Sequence, residues 1–265
     1  METALEEIEF LALSPNRAEV LRLLAQRRHT RRDLAGETDA SQATLGRILG
    51  DFEERAWVRK ESGGYVATAT GELVASGLTD LLSILDTERD LRPIVSYLPT
   101  DAMAFDLRHL ADATITTPSG TRPNAPVQRV LDLLDDADDV RVFSHAFNEQ
   151  SLTVVHERTA ASDQTFQGVF SRSAIEALAA DSALREQLLD LIATDGVEIR
   201  LCENEIPLAV TLADDAVHLL VRDENGILQA SIDTDDSAVR QWADETFADY
   251  WASAAAIEPS DLRSA

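Results

Sequence analysis

Apolar residues fall at helical spacing in short runs near the N-terminus. Val20, Leu21, Leu23 and Leu24 follow Ser14-Pro15, which has the form of a helix start: an N-cap, then proline at the first helical position. Thr30-Arg31-Arg32-Asp33 fits a capping box in front of a second helix, Arg31 to Glu37. Thr38-Asp39-Ala40 reads as a turn. Ser41 caps a third helix running to about Arg55, with Leu45, Ile48, Leu49 and Phe52 on one face. The period then changes. Trp57 to Lys60 and Tyr65 to Thr68 flank Glu61-Ser62-Gly63-Gly64, two short strands about a Gly-Gly turn. Helices closed by such a hairpin are the parts of a winged helix-turn-helix, expected over residues 1–70.

Gly71 to Pro99 predicts a long helix, interrupted before Pro93. Val74, Leu78, Leu81 and Leu85 repeat along it at spacings of 4, 3 and 4, a short coiled-coil seam that points to a homodimer. A helix packed on its own domain carries the same spacing. From about residue 100 the pattern alternates between strand and helix. Val140 to Phe143, Thr165 to Phe170 and Val197 to Cys202 read as strands separated by helices, Phe147 to Thr159 among them. Leu208 to Leu212, Val217 to Arg222 and Ile227 to Ile232 follow closely, parted by acidic turns, which predicts an antiparallel meander. A last helix from Ser237 to about Ala255 carries Val239, Trp242, Phe247, Tyr250 and Trp251, an aromatic stripe expected in the core. Thr114 to Pro126 reads as one long irregular segment, and such loops are often functional. The expected class is α/β and α+β: an N-terminal winged helix-turn-helix (1–70), a linking and dimerisation helix (71–99), and a C-terminal α/β domain with a mixed sheet (100–265).

Charge changes this picture in one respect. The 265 residues carry a formal charge of −25, and Lys60 is the only lysine among 23 basic residues. Acid-rich, lysine-poor surfaces suit a salt-rich cytoplasm, where salt screens the repulsion between carboxylates; an ordinary acidic protein from a GC-rich genome has a similar make-up. The imbalance is uneven. Residues 17–70 hold ten basic and eight acidic residues, against twelve and thirty-one in residues 91–265. Six arginines fall between Arg17 and Arg32 with one acid, Glu19, among them. A locally basic face inside an acidic chain is what phosphate contact needs. With one cysteine, Cys202, no internal disulfide forms. The first residues lack a signal-peptide pattern and no apolar run is long enough to span a membrane, so a soluble cytoplasmic protein is expected.

These features place candidate chemistry at two points. In a helix-turn-helix the first turns of the third helix face base edges. Gln42, Ala43, Thr44 and Arg47 are the positions left free by the core: Gln suits adenine, Arg suits guanine, and methyl groups suit thymine. Ser41 caps the helix and stands near phosphate. Arg31 and Arg32 start the preceding helix, where guanidinium and backbone N–H groups meet phosphate. Arg59, Lys60 and the tip at Gly63 and Gly64 would reach the flanking backbone. The expected partner is a double-stranded DNA operator. In the C-terminal domain, Arg108, Arg122, His145, His156 and Arg172 lie near predicted element ends, where α/β domains bind ligands; a small anionic or polyhydroxy metabolite is the expected ligand. Each of these residues is also an ordinary surface polar group in other settings. No cofactor and no metal site is expected: His156-Glu157 meets Ala160 where a zincin needs histidine.

The run Phe105-Asp106-Leu107-Arg108 through Ala111-Asp112-Ala113, then Pro123-Asn124-Ala125-Pro126 before an acidic leucine-rich helix, and Phe247-Ala248-Asp249-Tyr250-Trp251 resemble archaeal transcriptional regulators. The likeness is to the haloarchaeal group whose C-terminal part resembles the middle domain of a methanogenesis regulatory protein, and it covers nearly the whole chain. It implies a DNA-binding regulator with a sensing domain. A more distant likeness is to the sugar-sensing TrmB regulators, whose effector domain resembles phospholipase D. Phospholipase D chemistry needs a nucleophilic histidine with lysine two residues on, and the lone lysine excludes that pair. A non-enzymatic regulator is therefore expected. The alternatives are an enzyme fused to a DNA-binding domain, or a winged helix serving protein contacts alone.

Overall fold

The computed structural model describes residues 3–146, 149–257 and 262. The chain divides into two compact units, residues 1–86 and 87–265.

The first unit opens with a helix the sequence patterns above do not include, α1 (Ala4–Ala12), started by a capping box between Thr3 and Glu6. Then come α2 (Pro15–Gln26), α3 (Arg31–Glu37), α4 (Gln42–Glu54), the hairpin β1 (Val58–Glu61) and β2 (Gly64–Ala67), and α5 (Ala69–Leu91). The caps are made as expected. Thr30 Oγ1 accepts from the Asp33 amide while the Asp33 carboxylate accepts from the Thr30 amide, and Ser41 Oγ accepts from the Thr44 amide. Val20, Leu21, Leu24, Leu34, Leu45 and Phe52 are buried in one core. Phe10 fastens α1 to it, edge-on to Phe52 and Trp57 at 6.1 Å each. The guanidinium groups of Arg17 and Arg55 lie over the Phe10 ring at 3.9 and 3.8 Å, which commits those two arginines to structure. The hairpin turns at Ser62-Gly63, where Gly63 has φ +87°, a conformation glycine adopts without cost.

At Gly71 the constraint is space. A Cβ there would stand 1.9 Å from the Trp57 carbonyl oxygen, and backbone cannot yield as a side-chain end can. Gly71→Ala is expected to lower the stability of this unit by roughly 1–3 kcal/mol, read from the urea midpoint of residues 1–86 in the full chain. An unchanged midpoint would show that the α5 start shifts freely.

α5 ends at Leu91, two residues ahead of Pro93, and 3₁₀ turns at Val95–Tyr97, Thr100–Ala102 and Leu107–Leu110 follow instead of further helix. The second unit then comprises β3 (Thr114–Thr116), α6 (Ala125–Asp136), β4 (Asp139–Ser144), α7 (Glu149–Ala160), β5 (Thr165–Ser171), α8 (Arg172–Ala179), α9 (Ser182–Ile192), β6 (Val197–Cys202), β7 (Ala209–Ala213), β8 (Ala216–Arg222), β9 (Leu228–Thr234), α10 (Ser237–Ser253) and β10 (Ala255–Ala256). The strands form one mixed sheet in the order β10-β6-β5-β4-β7-β8-β9-β3. β4, β5 and β6 are parallel, as crossover helices require. β7, β8 and β9 make the antiparallel meander. Thr114 to Pro126 is thus not irregular throughout. Thr114-Ile115-Thr116 pairs with β9 as an edge strand, and Pro126 sits in the first turn of α6, where a missing N–H costs nothing. The irregular stretch is residues 117–124. Phe147, the expected start of the helix that is α7, lies outside the described residues.

The sheet has two covered faces. On one, α10 lays Val239, Trp242 and Phe247 against Phe143, Val169 and Leu219. On the other, α6, α7, α8 and α9 cover Val140, Phe166, Phe170 and Ile199. Gly168 lies between the two phenylalanines on this face; a Cβ there would meet Phe170 Cε2 at 2.5 Å. No helix among the described residues is long and apolar enough to cross a membrane.

Candidate nucleic-acid interface and internal cavity

On α4, Ser41, Gln42, Ala43 and Arg47 are exposed and Thr44 is half-buried, while Leu45, Ile48 and Leu49 face the core. The structure therefore presents the first turns of α4 as one polar surface. Arg31 and Arg32 are exposed at the start of α3. The Arg31 guanidinium packs 3.6 Å from where a Cβ on Gly46 would sit, so a glycine on α4 brings α3's cation beside the recognition surface. Gln42 Nε2 donates to the Arg31 carbonyl at 3.4 Å. On the wing, Lys60 and Gly63 are exposed. Gly64 has a packing role: a Cβ would stand 2.5 Å from the His29 carbonyl oxygen.

Ion pairing sorts the basic residues of this unit. Arg17 pairs with Asp51, Arg22 with Glu19, Arg27 with Glu37, Arg55 with Glu7 and Arg59 with Glu61. Among the described residues, Arg28, Arg31, Arg32, Arg47 and Lys60 have no carboxylate partner. The sequence pattern does not single out Arg28. Its Nη1 donates to the Ser62 carbonyl at 2.9 Å, tying the loop before α3 to the wing. These five lie on the loop before α3, α3, α4 and β1.

The seam residues of α5 divide. Val74 and Leu78 are half-buried against the winged-helix core, whereas Leu81 and Leu85 are exposed together with Leu82 and Ile84. Beside them an apolar groove of about 590 Å³ runs between α1, the start of α2 and α5, lined by Ile8, Leu11, Pro15 and Leu82.

In the second unit, His145 and Arg172 share an open cleft of about 560 Å³ at the ends of β4 and β5. Glu176, Glu203 and Glu205 line it too. Arg172 is forked onto Glu203, with Nε 2.8 Å from Oε2 and Nη2 on Oε1, so its charge is already answered. Arg108 is bonded likewise to Asp106. Arg122 is exposed in the 117–124 stretch, and His156 is half-buried on α7. These three do not line the cleft.

A second site, not read from the sequence, is a half-open pocket. Between the sheet and α6/α7 lies a cavity of about 70 Å³, walled by Val142, Val155, Phe166 and Leu220, with Ser144, Ser151, Thr211, His218 and Arg222 as its polar members. His218 is 1% exposed. Its Nδ1 lies 2.7 Å from Asp233 Oδ1 across the β8–β9 pair, and Asp233 in turn accepts from Arg129 Nε at 3.2 Å. Burial by itself would raise the Asp233 carboxyl. The hydrogen bond and charge of His218 and the charge of Arg129 outweigh it and hold the group below the ordinary carboxylate range. A depressed carboxylate contributes stability above its unfolded pKa and loses it as pH falls through its folded value. Unfolding free energies of wild type and Asp233→Asn are therefore expected to differ at pH 6 and to converge below about pH 4. A gap that persists at low pH would assign the effect to packing. Burial also pushes the Arg222 guanidinium below its usual range, and burial followed by the Arg222 charge lowers nearby His145.

A winged helix joined through a helix to a mixed-sheet α/β domain, with cations left unpaired on the winged helix, defines a regulator-type architecture. Residues 123–253 match the family model of the methanogenesis regulatory protein FilR1, middle domain, and residues 5–90 that of the HVO_A0261 N-terminal domain. The chain is thus built of an HVO_A0261 N-terminal domain and a FilR1 middle domain, the regulator type its sequence resembles. No protein of curated function matches it. Among solved structures, it is similar to TrmBL2, an archaeal chromatin protein described as showing a novel mode of DNA binding, at 13% identity and TM-score 0.44, covering 96% of this chain and 100% of that one. It is also similar to Nuc of Salmonella typhimurium, a phospholipase D family member, at 14% identity and TM-score 0.44, covering 55% of this chain and 99% of that one. NucT from Helicobacter pylori gives 13% identity and TM-score 0.43 over 55% of this chain and 98% of that one.

Proposed function

We propose that this regulator binds operator DNA as a homodimer, with α4 in the major groove. In this reading Gln42, Ala43, Thr44 and Arg47 meet base edges, while Ser41, Arg31, Arg32, Arg28, Lys60 and the wing tip at Gly63 meet the backbone. Arg59 joins them only by giving up Glu61. The observation that carries the reading is the sorting of charge: carboxylates neutralise the basic residues elsewhere on the unit and leave those around α3, α4 and the wing for phosphate. Leu81 and Leu85 supply the dimer contact, since four exposed aliphatic side chains on one helix segment of a strongly acidic chain need cover. The second unit senses a small molecule. A ligand that prefers one dimer geometry shifts operator affinity by that preference and no more. The protein works in the cytoplasm, where its operator is.

A mobility-shift titration with DNA from upstream of its own gene tests the reading. The expected result is a discrete shifted band that specific DNA competes away and random DNA does not. Equal competition by random DNA, or no shift, would leave the winged helix as a protein-contact module.

A further inference from the structure

Arg222 carries a half-buried charge that no described carboxylate answers. It is the last residue of β8, as Ser144 is of β4. Both strands run antiparallel to β7, so both end at the same side of the sheet, and both residues line the half-open pocket. Ligands of α/β domains gather at such carboxyl ends. Arg222 Nε has no hydrogen-bond partner and almost no solvent contact. Nη1 donates to the Gly226 carbonyl at 2.9 Å. Burial meets no opposing charge here, and so the guanidinium falls below its usual range. Burial and then the Arg222 charge lower nearby His145 as well. Elsewhere in this unit carboxylates do reach half-buried arginines: Arg141 has Asp244, and Arg240 has Asp215. A buried donor left unmet is costly.

The pocket specifies what would complete it. A guanidinium offers only donors, on a planar fork that matches a carboxylate. The walls around it are mainly hydrocarbon, from Val142, Val155, Ala209 and Leu220. Ser144 and Ser151 add hydroxyls, which carry no charge. Phosphate would set several oxygens against this hydrocarbon with one cation to answer them. A monocarboxylate brings one charge and a hydrocarbon of its own. Size narrows the class. One water-sized group needs about 10–15 Å³ of such space, so a pocket of about 70 Å³ holds roughly five non-hydrogen atoms. Acetate and propionate have that size; a sugar or nucleotide does not. His218 stands four residues back along β8, roughly 13 Å away at the backbone. A ligand this short, held at Arg222, does not extend to it, and its protonation state is not part of the site.

We propose that this pocket binds a short-chain monocarboxylate of the size of acetate or propionate, its carboxylate on the Arg222 guanidinium and its hydrocarbon against Val142, Ala209 and Leu220. The site deepens the sensing half of the function proposed above and rests on it only for its regulatory meaning. It differs from the open cleft at Arg172, where Glu203 already holds the arginine.

The test is calorimetric titration of the full chain with propionate, run beside two comparators. Propionamide keeps the shape and loses the charge; inorganic phosphate keeps the charge and has no hydrocarbon. One propionate is expected per chain, with a dissociation constant of about 10 μM to 1 mM, the range open to so small a ligand. Either comparator is expected to bind about tenfold or more weakly. Arg222→Gln is expected to bring propionate down to the level of propionamide. Ala209→Leu narrows the pocket without changing its charge and is expected to abolish binding while the far-ultraviolet spectrum stays native. No binding by wild type, or equal binding by either variant, overturns the proposal and shows a pocket holding only water. Phosphate binding as tight as propionate overturns it too, because charge alone would then decide. The regulatory reading is scored separately by mobility shift. Propionate binding that leaves operator affinity unchanged sinks the sensing role and keeps the site; operator binding without propionate binding does the reverse.

Discussion

A chain in which Arg31, Arg32 and Arg47 are all alanine is expected to lose operator recognition while folding normally. The three side chains are exposed and hold no ion pair with the described residues, so their removal takes nothing from the core. Their expected contributions differ in kind. Arg47 stands one turn into α4; if it reads a guanine, Arg47→Ala by itself costs roughly 1–3 kcal/mol and relaxes the preference at one base pair. Arg31 and Arg32 are expected to meet phosphate and to carry no sequence information. Losing them weakens all sequences alike and flattens the dependence of log affinity on log salt by about 0.9 for each phosphate that is no longer neutralised. Mobility-shift titrations at several salt concentrations separate the two effects. Arg22→Ala serves as control, because Arg22 is half-buried on α2 and forked onto Glu19. Affinity and salt slope equal to wild type in the triple variant would remove this face from the DNA-binding surface, whatever the wing then does.

Salt matters more for this chain than for a basic DNA binder. With a net charge of −25, the molecule as a whole repels DNA, and only the local pattern attracts it. Counterion release is weak where salt is abundant. In the proposed reading, specificity then depends on base contacts from α4 and on two winged helices acting together.

How much of the fold and its sites is legible in the sequence follows from the range over which each signal acts. The starts of α2, α3 and α4 are written in caps, and Pro15, Thr30 with Asp33, and Ser41 place them to the residue. The same chemistry marks α1 at Thr3 and Glu6, a capping box that lies ahead of the winged-helix pattern. β3 has no local signal. Thr114-Ile115-Thr116 is too short to show alternation, and it is a strand because β9 lies beside it. The pocket beside His218 is illegible for the same reason. Asp233 follows His218 by 15 residues and Arg129 precedes Asp233 by 104, and only sheet register and the placement of α6 bring them together. One local hint exists: in β8, His218 interrupts a run of aliphatic residues buried on both faces, where a polar side chain needs a partner. Sequence position favours residues at element ends as sensing candidates instead. His145 and Arg172 do meet in a cleft, but the acidity of the chain supplies Arg172 with Glu203 before any ligand arrives.

The α5 seam leads to the second large expected effect. Its heptad spacing does not distinguish a dimer contact from packing within the domain, and the structure assigns the two halves differently. Val74 and Leu78 reach the core of their own unit, so charging them would unfold it. Leu81 and Leu85 are 37% and 51% exposed, and glutamate there costs the monomer little. Leu81→Glu with Leu85→Glu should place four like charges in a twofold contact, against which aliphatic burial of about 25 cal/mol per Å² cannot hold. The expected result in light scattering is a monomer with native helix content. Operator affinity should fall by about 10²–10⁴-fold, because one winged helix then binds without the effective concentration its partner provides. Separation of the two readouts identifies the alternatives. A dimer that persists places the interface on residues 87–265. A monomer that binds the operator with unchanged affinity shows that a single winged helix suffices and that the operator has no second half-site.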